Sequence, residues 1–151
     1  MDLEIRVTQK HDGEMWMPAA EYGKSLPTFT VNLLVRDVAR SVTFYRDVLG
    51  VTVRFSSVDF AALTIRGVDF MLHADHTYDH HPLLERVAGC DLRGIGAELR
   101  VLGIDPDQVE ARAKQRGATI VQPAKDFPHG WRDVIVQDPD GYTWAVGEKL
   151  P

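Results

Sequence analysis

Four histidines, His73, His76, His80 and His81, fall within one short stretch of the chain, interleaved with Asp69, Asp75 and Asp79. Imidazole suits zinc, copper, nickel or iron, so a metal site is one chemistry this stretch offers. The plainer reading is a solvated segment whose imidazoles titrate near neutral pH, and we prefer it for the cluster as a whole. His73 stands apart, because it ends an alternating run and shares a face with Asp69 and Met71. Glu98 and Arg100 alternate with Gly96 in the same manner. They offer a polar anchor or a general base, against the alternative of ion pairs on an exposed sheet. Asn32 carries both a donor and an acceptor and has the same standing.

Aromatic and flexible side chains form the stronger theme. Phe55, Phe60, Phe70, Met71, Trp131 and Trp144 all lie on segments that alternate as strands. An apolar pocket with a few polar fixing groups is the usual form of a site for an organic molecule. Core packing accounts for Phe55, Phe70 and Trp144, and for Phe44 and Tyr45 on a helix. Trp131, which follows Pro128-His129-Gly130 at the start of a strand, is the best candidate for stacking on a ligand, and Phe60 and Met71 join it. Cys90 is the single cysteine and no Cys/His signature surrounds it, so it reads as an inert thiol. The chain has no phosphate-cradling glycine pattern, no nucleophile elbow and no paired-cysteine zinc spacing.

The elements that must position these residues come as a repeated plan. Asp37 opens one amphipathic helix and Asp105 another; Gly50 closes the first and Gly117 the second, an offset of about 67 residues. In the first copy an apolar run, Phe29 to Val35, precedes a helix with Val38, Val42, Tyr45 and Leu49 at helical spacing. Alternating segments follow around Val51 to Phe55, Phe60 to Arg66 and Val68 to Ala74. In the second copy, Ile95 to Val101 leads to a helix capped by Asp105 with Pro106 at its first position. Strands at Ala118 to Val121, Trp131 to Val136 and Tyr142 to Val146 come next, the last after the tight turn Asp138-Pro139-Asp140-Gly141. The fold class is α+β, two tandem β-α-β-β-β modules.

The expected layout is an N-terminal arm over residues 1–27, then a single domain over 28–151. The domain divides into a first module at 28–74, a linker at 75–94 and a second module at 95–148. Leu3, Ile5 and Val7 alternate as a short strand, and Lys10 to Pro27, punctuated by Gly13, Pro18, Gly23 and Pro27, reads as irregular chain. Pro82 to Val87 is expected to form a helical turn within the linker.

With 151 residues the chain can bury a core without staples. The net charge of -5 makes nucleic acid an unfavoured partner. No apolar run reaches membrane-spanning length, the first residues lack the pattern of a secretory signal, and the lone thiol fits a reducing compartment. The expectation is a cytoplasmic protein with no membrane partner.

Val35-Arg36-Asp37, with the S-x-x-F-Y-x-x-x-L-G helix at Ser41 to Gly50, and Gly130-Trp131-Arg132-Asp133 with Gln137-Asp138-Pro139-Asp140-Gly141-Tyr142, resemble the vicinal oxygen chelate superfamily. That group includes the glyoxalases, the bleomycin-resistance-type antibiotic-binding proteins and the extradiol dioxygenases, and the resemblance covers roughly residues 28–148. It implies a curved mixed sheet that forms a ligand cup, completed by homodimerisation, and in many members a divalent metal held by His, Glu or Gln. Counted along this chain, the family's ligand positions fall on Thr30, Met71, Gly96 and Ala145, none of them a good donor. The resemblance therefore implies a metal-free protein with no cofactor that sequesters an apolar or aromatic organic ligand, with Trp131, Asn32, Met71, His73, Glu98, Arg100 and Phe60 at the site. The alternatives are a glyoxalase-like lyase or dioxygenase with a rearranged metal set around His73 and Glu98, and a metal-free enzyme using Glu98 or His73 as acid or base.

Overall fold

The computed structural model describes residues 16–151. They form two compact units, one holding the chain up to Val42 with Val51–Ala88, the other Thr43–Gly50 with Gly89–Pro151. The first unit contains helix α1 (Ala19–Ser25), strand β1 (Asn32–Val35), strands β2 (Thr52–Ser56), β3 (Phe60–Ile65) and β4 (Val68–Ala74), a 3-10 turn at Asp75–Tyr78 and helix α3 (Leu83–Val87). Helix α2 (Val38–Asp47) starts in this unit and finishes in the second, which adds β5 (Leu99–Leu102), α4 (Pro106–Arg116), β6 (Thr119–Asp126), β7 (Trp131–Gln137) and β8 (Thr143–Lys149). Each β-α-β-β-β module makes one four-stranded mixed sheet, ordered β1-β4-β3-β2 and β5-β8-β7-β6. The same topology occurs twice: the first and last strands of a module pair in parallel at one side, and antiparallel hairpins fill the rest.

Local chemistry explains the helix limits. The amide of Arg40 donates to Asp37 Oδ1 (3.1 Å), and the amides of Asp107 and Gln108 donate to Asp105 Oδ1 (3.0 and 3.4 Å), so each helix has its first orphan donors satisfied. Gly117 ends α4 at φ 67°, a left-handed conformation costly for any residue with a Cβ.

Several boundaries depart from those expected of the sequence. The arm is not wholly irregular: Ala19–Ser25 is helical, nucleated behind Pro18, whose carbonyl accepts from the Tyr22 amide at 3.1 Å. Its weak period was hidden by Gly23, and burial of Tyr22 supplies what propensity does not. The expected strand at Leu3 to Val7 lies outside the described residues. Strand β1 begins at Asn32, not Phe29, because Thr30 turns its hydroxyl back to the Pro27 carbonyl (2.9 Å). Strand β5 begins at Leu99, not Ile95. Gly94 and Gly96 belong to turns, with the Ala97 amide bonded to the Gly94 carbonyl (3.0 Å) and Gly96 at φ 89°. Strand β6 runs on to Asp126 through Pro123, which a bulged edge strand accommodates.

Burial alternates with period two on β2, β4 and β6, which gives each sheet a more closed and a more open face, while most of β3 and β8 is buried on both. On β4, Phe70, Leu72 and Ala74 are buried while Asp69, Met71 and His73 are half-buried. On β7, Val134 and Val136 are fully buried, and α4 packs across β6 and β7 with Val109 and Ala113 buried.

The second unit contains a buried polar network around Tyr45. Tyr45, fully buried, donates its hydroxyl to Asp138 Oδ2 (2.6 Å) and accepts from Trp144 Nε1 (3.1 Å). Asp138 Oδ1 accepts from the amides of Asp140 and Tyr142 (2.9 Å each). Burial pushes the Asp138 carboxyl up to about 6, against the pull of the Tyr45 hydroxyl and the Tyr142 amide.

Removing the hydroxyl takes a hydrogen bond from Asp138 Oδ2 and another from Trp144 Nε1, so Tyr45→Phe should lower stability by about 1–3 kcal/mol in urea unfolding. Because the folded Asp138 binds its proton more tightly than a free aspartate near 3.9, its contribution to folding is greatest below that value and falls as pH rises through 6, by on the order of 3 kcal/mol. Urea midpoints between pH 4.5 and 7 should show this decline in the wild type and not in Asp138→Asn; parallel profiles would contradict it.

Candidate functional site

The open face of the first sheet is an aromatic surface. Strand register puts Phe60 beside His73, Ala62 beside Met71 and Asn32 beside Met71. The Phe60 ring lies 5.0 Å from His73 and 5.4 Å, edge on, from Tyr22 of α1. Trp16 stacks on Phe55 at 5.4 Å with planes 6° apart, and Tyr78 lies 5.6 Å from His73 and 4.5 Å from His81. Arg54 sits over Trp16 at 5.2 Å and pairs with Asp69 at 3.1 Å, while the Thr64 hydroxyl donates to the other Asp69 oxygen at 2.6 Å.

Asn32, His73 and Tyr78 form a directed polar triad within this surface. Asn32 Nδ2 donates to the Tyr78 hydroxyl, and Asn32 Oδ1 lies 2.7 Å from His73 Nδ1. An amide oxygen only accepts, so His73 carries its proton on Nδ1 and presents Nε2 as an acceptor. Burial holds the His73 pKa below its usual 6.5, which keeps the ring neutral at pH 7. The Tyr78 oxygen receives from Asn32 and retains its own proton for another acceptor. Tyr22 brings a third hydroxyl, buried and without a partner; burial raises its pKa, as does the Asp69 charge.

The remaining histidines do not converge. His76 Nε2 is 2.7 Å from Asp59, His80 is 96% exposed, and His81 Nδ1 accepts from the Leu83 amide at 3.1 Å. Among the described residues no group of three or more His, Cys, Asp or Glu is arranged to hold a metal ion. Of the positions implied for metal ligands, Thr30 and Gly96 lie off the strands, which corrects their assignment to β1 and β5. On the strands, register sets Asn32 against Met71 and Arg100 against Ala145. An amide, a thioether, a guanidinium and a methyl group do not fit a divalent ion.

The open face of the second sheet is charged. Arg100 donates from Nη1 to Glu98 (2.5 Å) and from Nη2 to Asp133 Oδ2 (3.0 Å), with His129 Nε2 at 3.1 Å, and its guanidinium lies 4.8 Å from the Trp131 ring centre. The Glu98 bond, then the charges of Glu98 and Asp133, raise the Arg100 pKa. Glu98 immediately precedes β5 and is engaged by Arg100, and Trp131 opens β7 beneath the same side chain. Asp133 is 1% exposed, and its Oδ1 has no partner.

The structure thus gathers Asn32, Phe60, Met71 and His73 on one open face, and Glu98, Arg100 and Trp131 on another. Sequence reasoning missed Trp16, Tyr22, Tyr78, His129 and Asp133 as members of these surfaces. Asp133 was findable, since it stands two residues after Trp131 on a strand and so shares its face. Tyr78, in a 3-10 turn, gave no periodic signal.

The chain belongs to the Glyoxalase/Bleomycin resistance protein/Dioxygenase superfamily, whose model matches residues 28–146. Solved structures share the fold. A glyoxalase/bleomycin resistance protein/dioxygenase from Nocardioides is 24% identical with a TM-score of 0.63, covering 87% of this chain and 92% of that one. A glyoxalase-related enzyme from Fulvimarina pelagi is 19% identical at 0.63, covering 82% and 88%. TioX from Micromonospora sp. ML1 is 23% identical at 0.58, covering 80% and 97%. No curated protein matches the chain. No helix among the described residues is long and apolar enough to cross a membrane.

The triad sets a spectroscopic expectation. In an NMR titration His73 should give a midpoint below 6.5 and hold its proton on Nδ1 at pH 7; a midpoint at or above 6.5 would contradict the buried, Asn32-oriented ring.

Proposed function

We propose that this protein binds and sequesters a small aromatic or largely apolar organic ligand without a metal, in the manner of the bleomycin-resistance side of its superfamily. The observation that supports this most is the continuous aromatic surface of Trp16, Tyr22, Phe55, Phe60, His73 and Tyr78 on one open sheet face. Such rings contribute apolar burial together with offset or edge-on stacking, and a few fixed polar groups orient the ligand. A homodimer would cover the free strand edges of the two sheets, and a cytoplasmic location accords with the single cysteine.

A screen of planar aromatic compounds, followed by tryptophan fluorescence and calorimetry, tests the reading. Binders should appear with micromolar affinity, and Phe60→Ala should weaken them about tenfold or more while the melting temperature shifts little. Stoichiometric divalent metal in the purified protein, or the absence of any aromatic binder, would overturn it.

A second reading, acid–base catalysis, is favoured only by the neutral His73 and its available Nε2. Substrate turnover abolished in His73→Gln with affinity intact would establish it over sequestration.

A further inference from the structure

The polar groups on the aromatic face define a chemical pattern as well as a place. His73 Nε2 is an acceptor, because its partner nitrogen is committed to Asn32 Oδ1, and the Tyr78 hydroxyl is a donor, because its oxygen already receives Asn32 Nδ2. One amide side chain thus sets both polarities, and they can reverse only together, by a turn of the amide that leaves one group an acceptor and the other a donor as before. The walls on either side are rings: Phe60 against His73, and His81 against Tyr78. Arg54 and Asp69 on this face are already paired with each other.

We infer that the ligand of this face is a planar aromatic carrying a hydrogen-bond donor next to an acceptor, as in a ring lactam, with the donor on His73 Nε2 and the acceptor at the Tyr78 hydroxyl. This rests on the aromatic-binding reading above and specifies the ligand class that reading leaves open. The pairing matters because His73 and Tyr78 are bonded to the same Asn32 amide and their ring centres lie 5.6 Å apart. A molecule with a donor alone leaves the Tyr78 hydroxyl without an acceptor. A molecule with an acceptor alone faces the lone pair of His73, and mismatched polar groups in a site built to pair them cost far more than a missing methylene. An anion is disfavoured by the same inventory, since a carboxylate would meet the His73 lone pair.

The test uses the full chain and three probes, naphthalene, 2-quinolinone and N-methyl-2-quinolinone, titrated by calorimetry. The lactam has the adjacent N–H and C=O, the N-methyl compound has lost only the donor, and naphthalene has neither. The lactam should bind at least tenfold tighter than its N-methyl analogue. His73→Phe, which keeps a ring against Phe60, should bring the two within about twofold, and Tyr78→Phe should weaken the lactam while leaving naphthalene unchanged. In ¹⁵N spectra of the wild type, the lactam should shift Asn32, His73 and Tyr78, a readout that holds even if a variant folds poorly. Equal binding of lactam and N-methyl lactam, or shifts confined to Trp131 and Arg100, would overturn the donor–acceptor assignment while leaving aromatic binding intact if naphthalene still binds and loses affinity in Phe60→Ala. Failure of all three probes would remove the aromatic-binding reading itself.

Discussion

The second unit depends on the buried carboxylate of Asp138. Asp138 is 5% exposed, yet it has four polar tasks: it accepts the Tyr45 hydroxyl, takes the amides of Asp140 and Tyr142, and through Tyr45 fixes the indole N–H of Trp144. A charge so placed is tolerated only because its lone pairs are met. The arrangement shapes the turn that feeds β8, and the turn in turn receives the end of the linker. The Arg93 amide donates to the Asp140 carbonyl (3.0 Å), and a Cβ at Gly94 would come within 2.6 Å of the Tyr142 Cα. Gly141 is constrained from the other side, where a Cβ would meet the Asp91 carbonyl at 2.7 Å. Two glycines and an aspartate therefore fix where the chain re-enters the second module. Two of the motif elements that marked the family, Tyr45 of the helix and Asp138 of the D-P-D-G turn, are thus bonded partners.

This explains why the fold was legible in the sequence while the site was only partly so. Asp37, Asp105, Gly50 and Gly117 act on the backbone of their own neighbours, and period-two burial on Val68–Ala74 is a local rule, so both could be read from spacing. The expectation that Tyr45 packs inward was sound, but its bond to a residue 93 positions away has no local signature. Among the site residues, those on strands were recoverable as faces: Met71 with His73, and Trp131 with Asp133. Those contributed by turns and by the arm, Tyr78 and Trp16, depend on where tertiary packing sets a short irregular segment. The displaced starts of β1 and β5 have the same origin. Apolar composition alone extended both strands backward, whereas the Thr30 hydroxyl and the Gly94–Gly96 turns end them.

The two open faces differ in what they ask of an occupant, although one topology built both. Equivalent strands carry Asn32 and Met71 in one sheet and Arg100 and Ala145 in the other. The first face places its polar atoms in a neutral, oriented chain of hydrogen bonds among rings. The second concentrates charge: Arg100 serves Glu98 and Asp133 at once, and a buried carboxylate oxygen is left over. Gly147, opposite Asp133, is tied to that choice, since a Cβ there would lie 2.1 Å from the Arg132 carbonyl and 2.7 Å from the Asp133 Cβ. The strand pair closes over the aspartate only because position 147 has no side chain.

Recognition by the first face rests on orientation rather than on strength. Each neutral hydrogen bond there is worth about 0.5–1.5 kcal/mol net, no more than a ring contact contributes by burial and stacking. Their selectivity comes from Asn32, whose one oxygen and one nitrogen leave opposite polarities on His73 and Tyr78 whichever way the amide is turned. Reversing the amide would set its NH₂ group against His73 and its oxygen against Tyr78, and both partners would then have to exchange roles. The low pKa of His73 opposes that exchange less than it opposes a second proton: either neutral tautomer is accessible, but the charged ring is disfavoured by burial. The face therefore presents a fixed pair of polarities over the pH range in which His73 stays neutral, and on acidification Nε2 changes from acceptor to donor.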